Sequence, residues 1–242
     1  DVTRHLLQGI PLGLQFSVLA IGIIVMQSVI VQFDTLGGEM VSNAAQNGFG
    51  AANKLNNLLM TPLNGLGAAM TSFTAQNLGA GDHARIRKGT VQALIIVWTM
   101  CLISIAAGLL LSRGGGYLYI FLSPDKVTAE TVRYGNTYLY VDLSLYLFLG
   151  FIFVVRNCVQ GIGKPQFVLG AGAAELAARV SVCLLLPPLI AGGPVNSDAP
   201  RAAVYALCFA DPFAWMAADA VLLVPFLRNI MKMDYRYLKG TV

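Results

Sequence analysis

The chain has 242 residues, 56% of them hydrophobic and only 12% charged, with a formal net charge of +4. That charged share is about half of what soluble domains carry, so a water-soluble core is excluded as the place for this much apolar surface. The four cysteines, Cys101, Cys158, Cys183 and Cys208, have no C-x-x-C spacing; they read as small packing residues, and neither a zinc site nor a disulfide framework is indicated.

The first apolar stretch, Leu6–Phe33, runs 28 residues without a charged side chain. A helix rises about 1.5 Å per residue, so roughly 20 apolar residues cross a hydrocarbon layer. This stretch spans with tilt to spare. It opens on Gly9-Ile10-Pro11-Leu12-Gly13, with Pro11 tolerated in the first turn, and a polar, glycine-rich loop at 34–39 follows it. The second span covers about 43–78 and is charge-free from Leu55 to Leu78. Its Gly65-Leu66-Gly67-Ala68-Ala69 run permits close helix contact, and Pro62 should kink it or free a carbonyl. A short basic loop at 79–89 leads to the third span, about 89–112, which Gly114–Gly116 breaks.

Ser123-Pro124-Asp125 has the form of an N-cap, a proline at N1 and an acid in the first turn. It predicts a helix from there to Arg133 at the outer interface, feeding a fourth span at about 134–155. Gly161–Pro165 makes a tight turn into the fifth span, about 166–190, which Pro187-Pro188 and the loop 192–200 close. The sixth covers about 202–227. The expected fold is an all-α membrane protein, a six-transmembrane-helix bundle with no soluble domain. The spans are too many and too long for a signal peptide. The chain opens on Asp1 rather than Met, which suggests a fragment or a processed form.

Six crossings put both termini on one side. Arg4, Arg85, Arg87, Lys88, Arg156, Lys164, Arg228, Lys232, Arg236 and Lys239 fall on that side, against Arg113, Lys126, Arg133 and Arg201 on the other. The excess makes the termini cytoplasmic by the positive-inside rule, in a multi-pass plasma-membrane protein. The basic surplus is thus topology, with no nucleic-acid patch.

Gly79-Ala80-Gly81-Asp82 matches the G-x-G-D pattern of intramembrane aspartyl proteases, and Asp34 would be its second acid. Such a dyad needs two carboxylates within a few ångströms. One crossing lies between these two, so Asp82 reads as a loop or cap residue. Polar groups inside spans are costly and by default mark a path or a partner. Asn53, Asn57 and Asn64 share one helical face, with Asn56 and Gln76 adding to the polar content. They form either a wetted stripe on a cavity or interhelical hydrogen bonds. Glu175 and Arg179, four apart, read as a structural ion pair. Asp142 has no basic residue one turn away and either holds a cation or proton or meets water in the outer half. Asp211, Trp215 and Asp219 share a face that suits an organic cation, the alternative being that Trp215 packs and Asp219 bonds a neighbouring helix. Gln27 is a weaker candidate of the same kind. His5 and His83 have no metal-ligand spacing, and no cofactor is expected.

Several of these segments resemble the multidrug and toxic compound extrusion (MATE) transporters. Gly9-Ile10-Pro11-Leu12-Gly13-Leu14-Gln15 is similar to the opening of that family's seventh helix. Phe73-Thr74-Ala75-Gln76-Asn77-Leu78-Gly79-Ala80-Gly81 resembles its GQNxGAG signature, and Arg156-Asn157-Cys158-Val159-Gln160-Gly161-Ile162-Gly163-Lys164 its RNxLQGxGK turn. Glu175, Arg179 and Pro212–Trp215 resemble patterns of the last two helices. The resemblance implies a C-terminal six-helix lobe whose N-terminal partner lobe is not in this chain. It also implies export of drugs or organic cations coupled to Na⁺ or H⁺ influx by alternating access. One branch of the family carries an acid in the seventh helix, and Leu6–Phe33 has none. Two further readings stand beside it: a lipid-linked oligosaccharide flippase of the same superfamily, disfavoured by the small number of intramembrane cations, and a non-transporting truncated membrane module. A membrane enzyme lacks its carboxylate pair, Ser/His set or metal ligands.

Overall fold

A computed structural model of the chain describes residues 2–232 and, within the first helix, leaves out the side chains of residues 2–9, 11, 12, 15, 16, 18 and 19. The readings placed on Arg236 and Lys239, and on the side chains of Arg4, His5, Pro11 and Gln15, fall outside the described residues.

The elements in order are α1 (Val2–Gln32), a ribbon of β1 (Thr35–Leu36) and β2 (Glu39–Met40), α2 (Ala44–Gly79), α3 (His83–Ser112), a short α4 (Leu118–Phe121), α5 (Ala129–Ser144), α6 (Tyr146–Gly161), α7 (Pro165–Ala191), α8 (Arg201–Cys208) and α9 (Ala210–Pro225), which ends in a π-helical turn, Phe226–Met231. The ribbon is antiparallel, Thr35 opposite Met40, and turns on Gly37 and Gly38, whose φ of +61° and +91° other residues rarely adopt.

Buried Asp34 anchors the start of α2. Its Oδ1 accepts from the Ala45 amide (3.0 Å), its Oδ2 from the Gln46 amide (2.9 Å), and its carbonyl from the amides of Val41 and Ser42. At the other end, Asp82 caps α3 by accepting from the Arg85 amide at 2.9 Å. The 36 residues of α2, about 54 Å of helix, separate the two acids, so no protease dyad forms. Pro62 lies within α2 without ending it; Ser104 Oγ on α3 donates to the Leu59 carbonyl, inside the turn that the proline loosens.

Two expectations are corrected. Ser123 caps nothing with its side chain: Pro124–Lys126 is a single 3₁₀ turn, and α5 begins at Ala129 under Thr128, whose Oγ1 accepts from the Thr131 amide at 3.1 Å. A proline at N1 followed by Val127-Thr128 supplies two competing starts, and the later hydroxyl wins. The fourth apolar stretch is also not one rod. α5 and α6 meet at Leu145 with a bend of 57°. Two donors from α3 occupy carbonyls at the break: Trp98 Nε1 bonds Leu147 at 3.2 Å, and Cys101 Sγ bonds Tyr146 at 3.5 Å.

Among the described residues, three helical stretches, His83–Gly115, Pro165–Ala191 and Arg201–Met231, are long and apolar enough to cross a membrane, and α5–α6 makes a fourth if the bent pair is one span. Of α1, the described apolar part is Ala20–Gln32. α2 has ample length, but Asn53, Asn56, Asn57, Asn64 and Asn77 dilute its hydropathy. α3 turns Ile95, Ile96, Leu102, Ile103 and Leu110 outward, an apolar surface suited to lipid.

The helices pack in two groups, α7 with α1 on one side and α9 on another, and α2 with α3, α5 and α6. Between α2 and α5 the backbones nearly touch: a Cβ on Gly48 would meet the Thr131 carbonyl at 2.5 Å and the Gly135 amide nitrogen at 2.9 Å. α6 joins the groups by packing on α9, and α1 and α2 diverge. The divergence opens the cavity described next.

Candidate functional site

A cavity of about 740 Å³ lies where α1 and α2 part, walled also by α5, α6, α7 and α9. Its apolar wall includes Ile23, Met26 and Ile30 of α1, Phe49 and Met60 of α2, and Phe153 of α6. Gln27, Asn53, Asn57 and Asn64 line it as well, and so do Asp211 and Trp215 of α9. The polar face of α2 thus points into the space, with Asn56 beside it.

The two readings of the asparagines meet here, because the cavity-lining groups are also hydrogen-bonded. Asn57 Nδ2 donates to Asn53 Oδ1 at 2.8 Å, and Asn53 Nδ2 donates to the Tyr138 hydroxyl at 3.3 Å. Tyr138 in turn donates to Asp211 Oδ2 at 2.9 Å. The other oxygen of Asp211 accepts from Arg179 Nε at 2.8 Å. Arg179 Nη2 reaches Glu175 Oε1 at 3.3 Å, and Arg156 Nη2 holds Glu175 Oε2 at 2.7 Å. One unbroken chain of bonds therefore links α2, α5, α9, α7 and α6. Two guanidinium groups and two carboxylates along it neutralise one another, and each carboxylate has both oxygens engaged. Removing charge pairs from water is tolerable only with such complete pairing. α1 closes over the network: a Cβ on Gly22 would come within 3.1 Å of Arg179 Nη1.

Glu175 and Arg179 do contact each other, yet each makes its shorter bond elsewhere, Glu175 to Arg156 and Arg179 to Asp211. Arg156 is the correction that matters. It does not sit in an inner loop but within α6, its side chain 14% exposed, on the cavity wall. A signal for it exists in the sequence: Phe153, Arg156, Asn157 and Gln160 recur at helical spacing, and all four line the cavity. Tyr138 is the other residue that sequence reasoning passed over, hidden among the aromatic residues of α5.

Asp142 and Asp219 lie behind the wall. Asp142 is fully buried and accepts from Asn56 Nδ2 at 2.8 Å, while its Oδ1 has no hydrogen-bond partner among the described residues. Asp219 is half-buried, and its Oδ1 is likewise without one. Trp215 packs edge-on against Tyr146, ring centroids 6.2 Å apart, and presents only a sliver of surface to the cavity.

Residues 14–185 match the MatE family model. The chain belongs to the MatE family. Over 173 residues it is 30% identical to the probable multidrug resistance protein YpnP of Bacillus subtilis (strain 168), an alignment covering 66% of this chain and 33% of that protein. A solved MOP superfamily transporter from Pyrococcus furiosus Vc1 (DSM3638), in which reversed polarity of the binding pocket suggests a different function, shares the fold with a TM-score of 0.69 at 15% identity. That likeness covers 92% of this chain and 43% of the transporter. The chain thus spans about a third of the curated relative's length and less than half of the solved transporter's. It is an all-α membrane protein, a lobe of the kind found in this transporter family.

Proposed function

We propose that this chain is the C-terminal lobe of a secondary antiporter that exports amphiphilic or cationic small molecules, coupled to Na⁺ or H⁺ influx. The observation that carries the reading is the cavity wall: apolar side chains interrupted by asparagines and by ion pairs that cancel. Such a surface receives an amphiphile without net repulsion and can release it again, because no single strong charge holds it. Against a second lobe the cavity forms half of a central site. Rocking of the lobes exposes that site to either face, and a bound ion biases the populations by its differential affinity.

The flippase reading gains one cation now that Arg156 lines the cavity, but both guanidiniums are held by carboxylates, which leaves a pyrophosphate no unmatched positive partner. With Arg156 taken out of the loops, the count is nine basic residues on the side of the termini against four, still in support of cytoplasmic termini.

The test is ethidium retention in cells lacking their own exporters and expressing the gene that encodes this chain. Faster loss of dye than in empty-vector cells, abolished by collapsing the ion gradients, supports export. Retention equal to the empty vector contradicts it.

A further inference from the structure

The cavity wall carries no uncompensated charge, yet it is crowded with carboxamides. Its carboxylates, Glu175 and Asp211, have both oxygens engaged, and those acids hold the guanidinium groups of Arg156 and Arg179. The rings of Phe49 and Trp215, each 4% exposed, are turned against Tyr138 and Tyr146, which leaves little ring face for a cation. Open hydrogen-bonding groups are plentiful by contrast. Gln27 and Gln160 line the cavity and make no side-chain hydrogen bond among the described residues. Asn64 uses its amide only on the Met60 carbonyl of its own helix, at a long 3.4 Å. Asn57 gives one N–H to Asn53, and its side-chain oxygen accepts nothing among the described residues.

A carboxamide has two N–H donors and an oxygen with two lone pairs, so these groups present donors and acceptors side by side. A hydroxyl matches such a surface, since it donates one hydrogen bond and accepts two. An ammonium only donates, and a quaternary cation does neither, so either leaves N–H groups of the wall without partners once water is displaced. The spacing points the same way. Asn53, Asn57 and Asn64 cover eleven residues of one α2 face, about 17 Å of helix, a length that meets several hydroxyls in turn rather than one charge. On the α1 side, Ile23, Met26 and Ile30 supply an apolar surface.

We infer that the ligand of this cavity is an uncharged amphiphile whose head carries several hydroxyl groups, a glycoside being the simplest case. The hydroxyls bond the α2 stripe, Gln27 and Gln160, and the apolar part lies along α1. The assignment rests on the transporter reading only for calling that ligand the cargo. A head without phosphate needs no unmatched cation, and the paired guanidiniums leave none. The volume, about 740 Å³, lies within the range of small-molecule sites, about 300–1,000 Å³.

The experiment measures binding to the whole chain in lipid nanodiscs, with uptake by empty nanodiscs subtracted. Three probes are compared: methylumbelliferyl β-glucoside; the methyl ether of methylumbelliferone, which keeps the ring system and lacks the sugar; and ethidium. The glucoside should bind about tenfold or more tighter than the methyl ether, the gain of two or more hydrogen bonds, and tighter than ethidium. Asn64→Leu should reduce the glucoside-to-ether affinity ratio about threefold or more, and Asn64→Gln, which restores a carboxamide, should keep it. Both affinities are read on one sample, so a loss of folded protein leaves the ratio standing. Equal affinity for glucoside and ether, tighter binding of ethidium, or an unchanged ratio in Asn64→Leu overturns the assignment. A glucoside preference in a chain that exports no dye upholds it and contradicts the transport reading. Dye export without that preference contradicts this assignment alone.

Discussion

Arg179 is nearly surrounded by partners: its Nε serves Asp211, its Nη2 serves Glu175, and its side chain is 6% exposed. Arg179→Gln leaves two buried carboxylates short of a cation, and truncating one member of a buried pair costs about 3–5 kcal/mol. The midpoint of thermal unfolding in detergent should fall accordingly. The double variant Arg179→Met with Asp211→Leu should lose less than the sum of the two single changes, because no charge is then stranded at α9. Tyr138→Phe removes the donor to Asp211 Oδ2 and should cost about 1–3 kcal/mol by the same measurement. Only part of this network is legible in the sequence. The spacing of Glu175 and Arg179 shows on one helix, but Arg156, Asp211 and Tyr138 reach it from three other helices. No pattern along the chain encodes which helices will be neighbours.

The apolar runs mark the rods at the scale of elements, since uncharged length is what a bilayer selects. The bend at Leu145 escapes that reading because no proline or glycine stands at the break. Donors from α3, far away in sequence, bond the Tyr146 and Leu147 carbonyls in the first turn after it. The start of α5 is misplaced for a local reason: two hydroxyl residues compete for the same cap. Thr128→Ala should therefore loosen the first turn of α5 by about 1 kcal/mol, and Ser123→Ala should leave its amide hydrogen exchange unchanged. Glycine patterning is legible as a class and not as positions. Gly67, in the small-residue run, does sit against α6, a Cβ there meeting Asn157 Nδ2 at 2.6 Å, whereas Gly65 faces open space. The tightest crossing uses Gly48 and Gly135 instead. Gly48→Val should push α2 from α5 and destabilise the chain by about 1–3 kcal/mol, read from the same unfolding midpoint.

For the molecule as a whole, the two helix groups hold a polar-lined space inside an apolar exterior, and the divergence of α1 from α2 decides where that space opens. Hydropathy cannot foretell a divergence, so the cavity was legible only as a stripe of asparagines whose partner was unknown. The central claim is that this stripe faces water within the membrane while α3 faces lipid. All four native cysteines are buried, so introduced thiols report without removing them. The decisive measurement is labelling by a water-soluble, membrane-impermeant maleimide in liposomes, with single cysteines at Asn57, Asn64, Leu102 and Ile103. The account predicts rapid labelling at 57 and 64 and protection at 102 and 103 until the lipid is dissolved. Protection at both asparagine positions, with labelling at the α3 positions in intact liposomes, would contradict it.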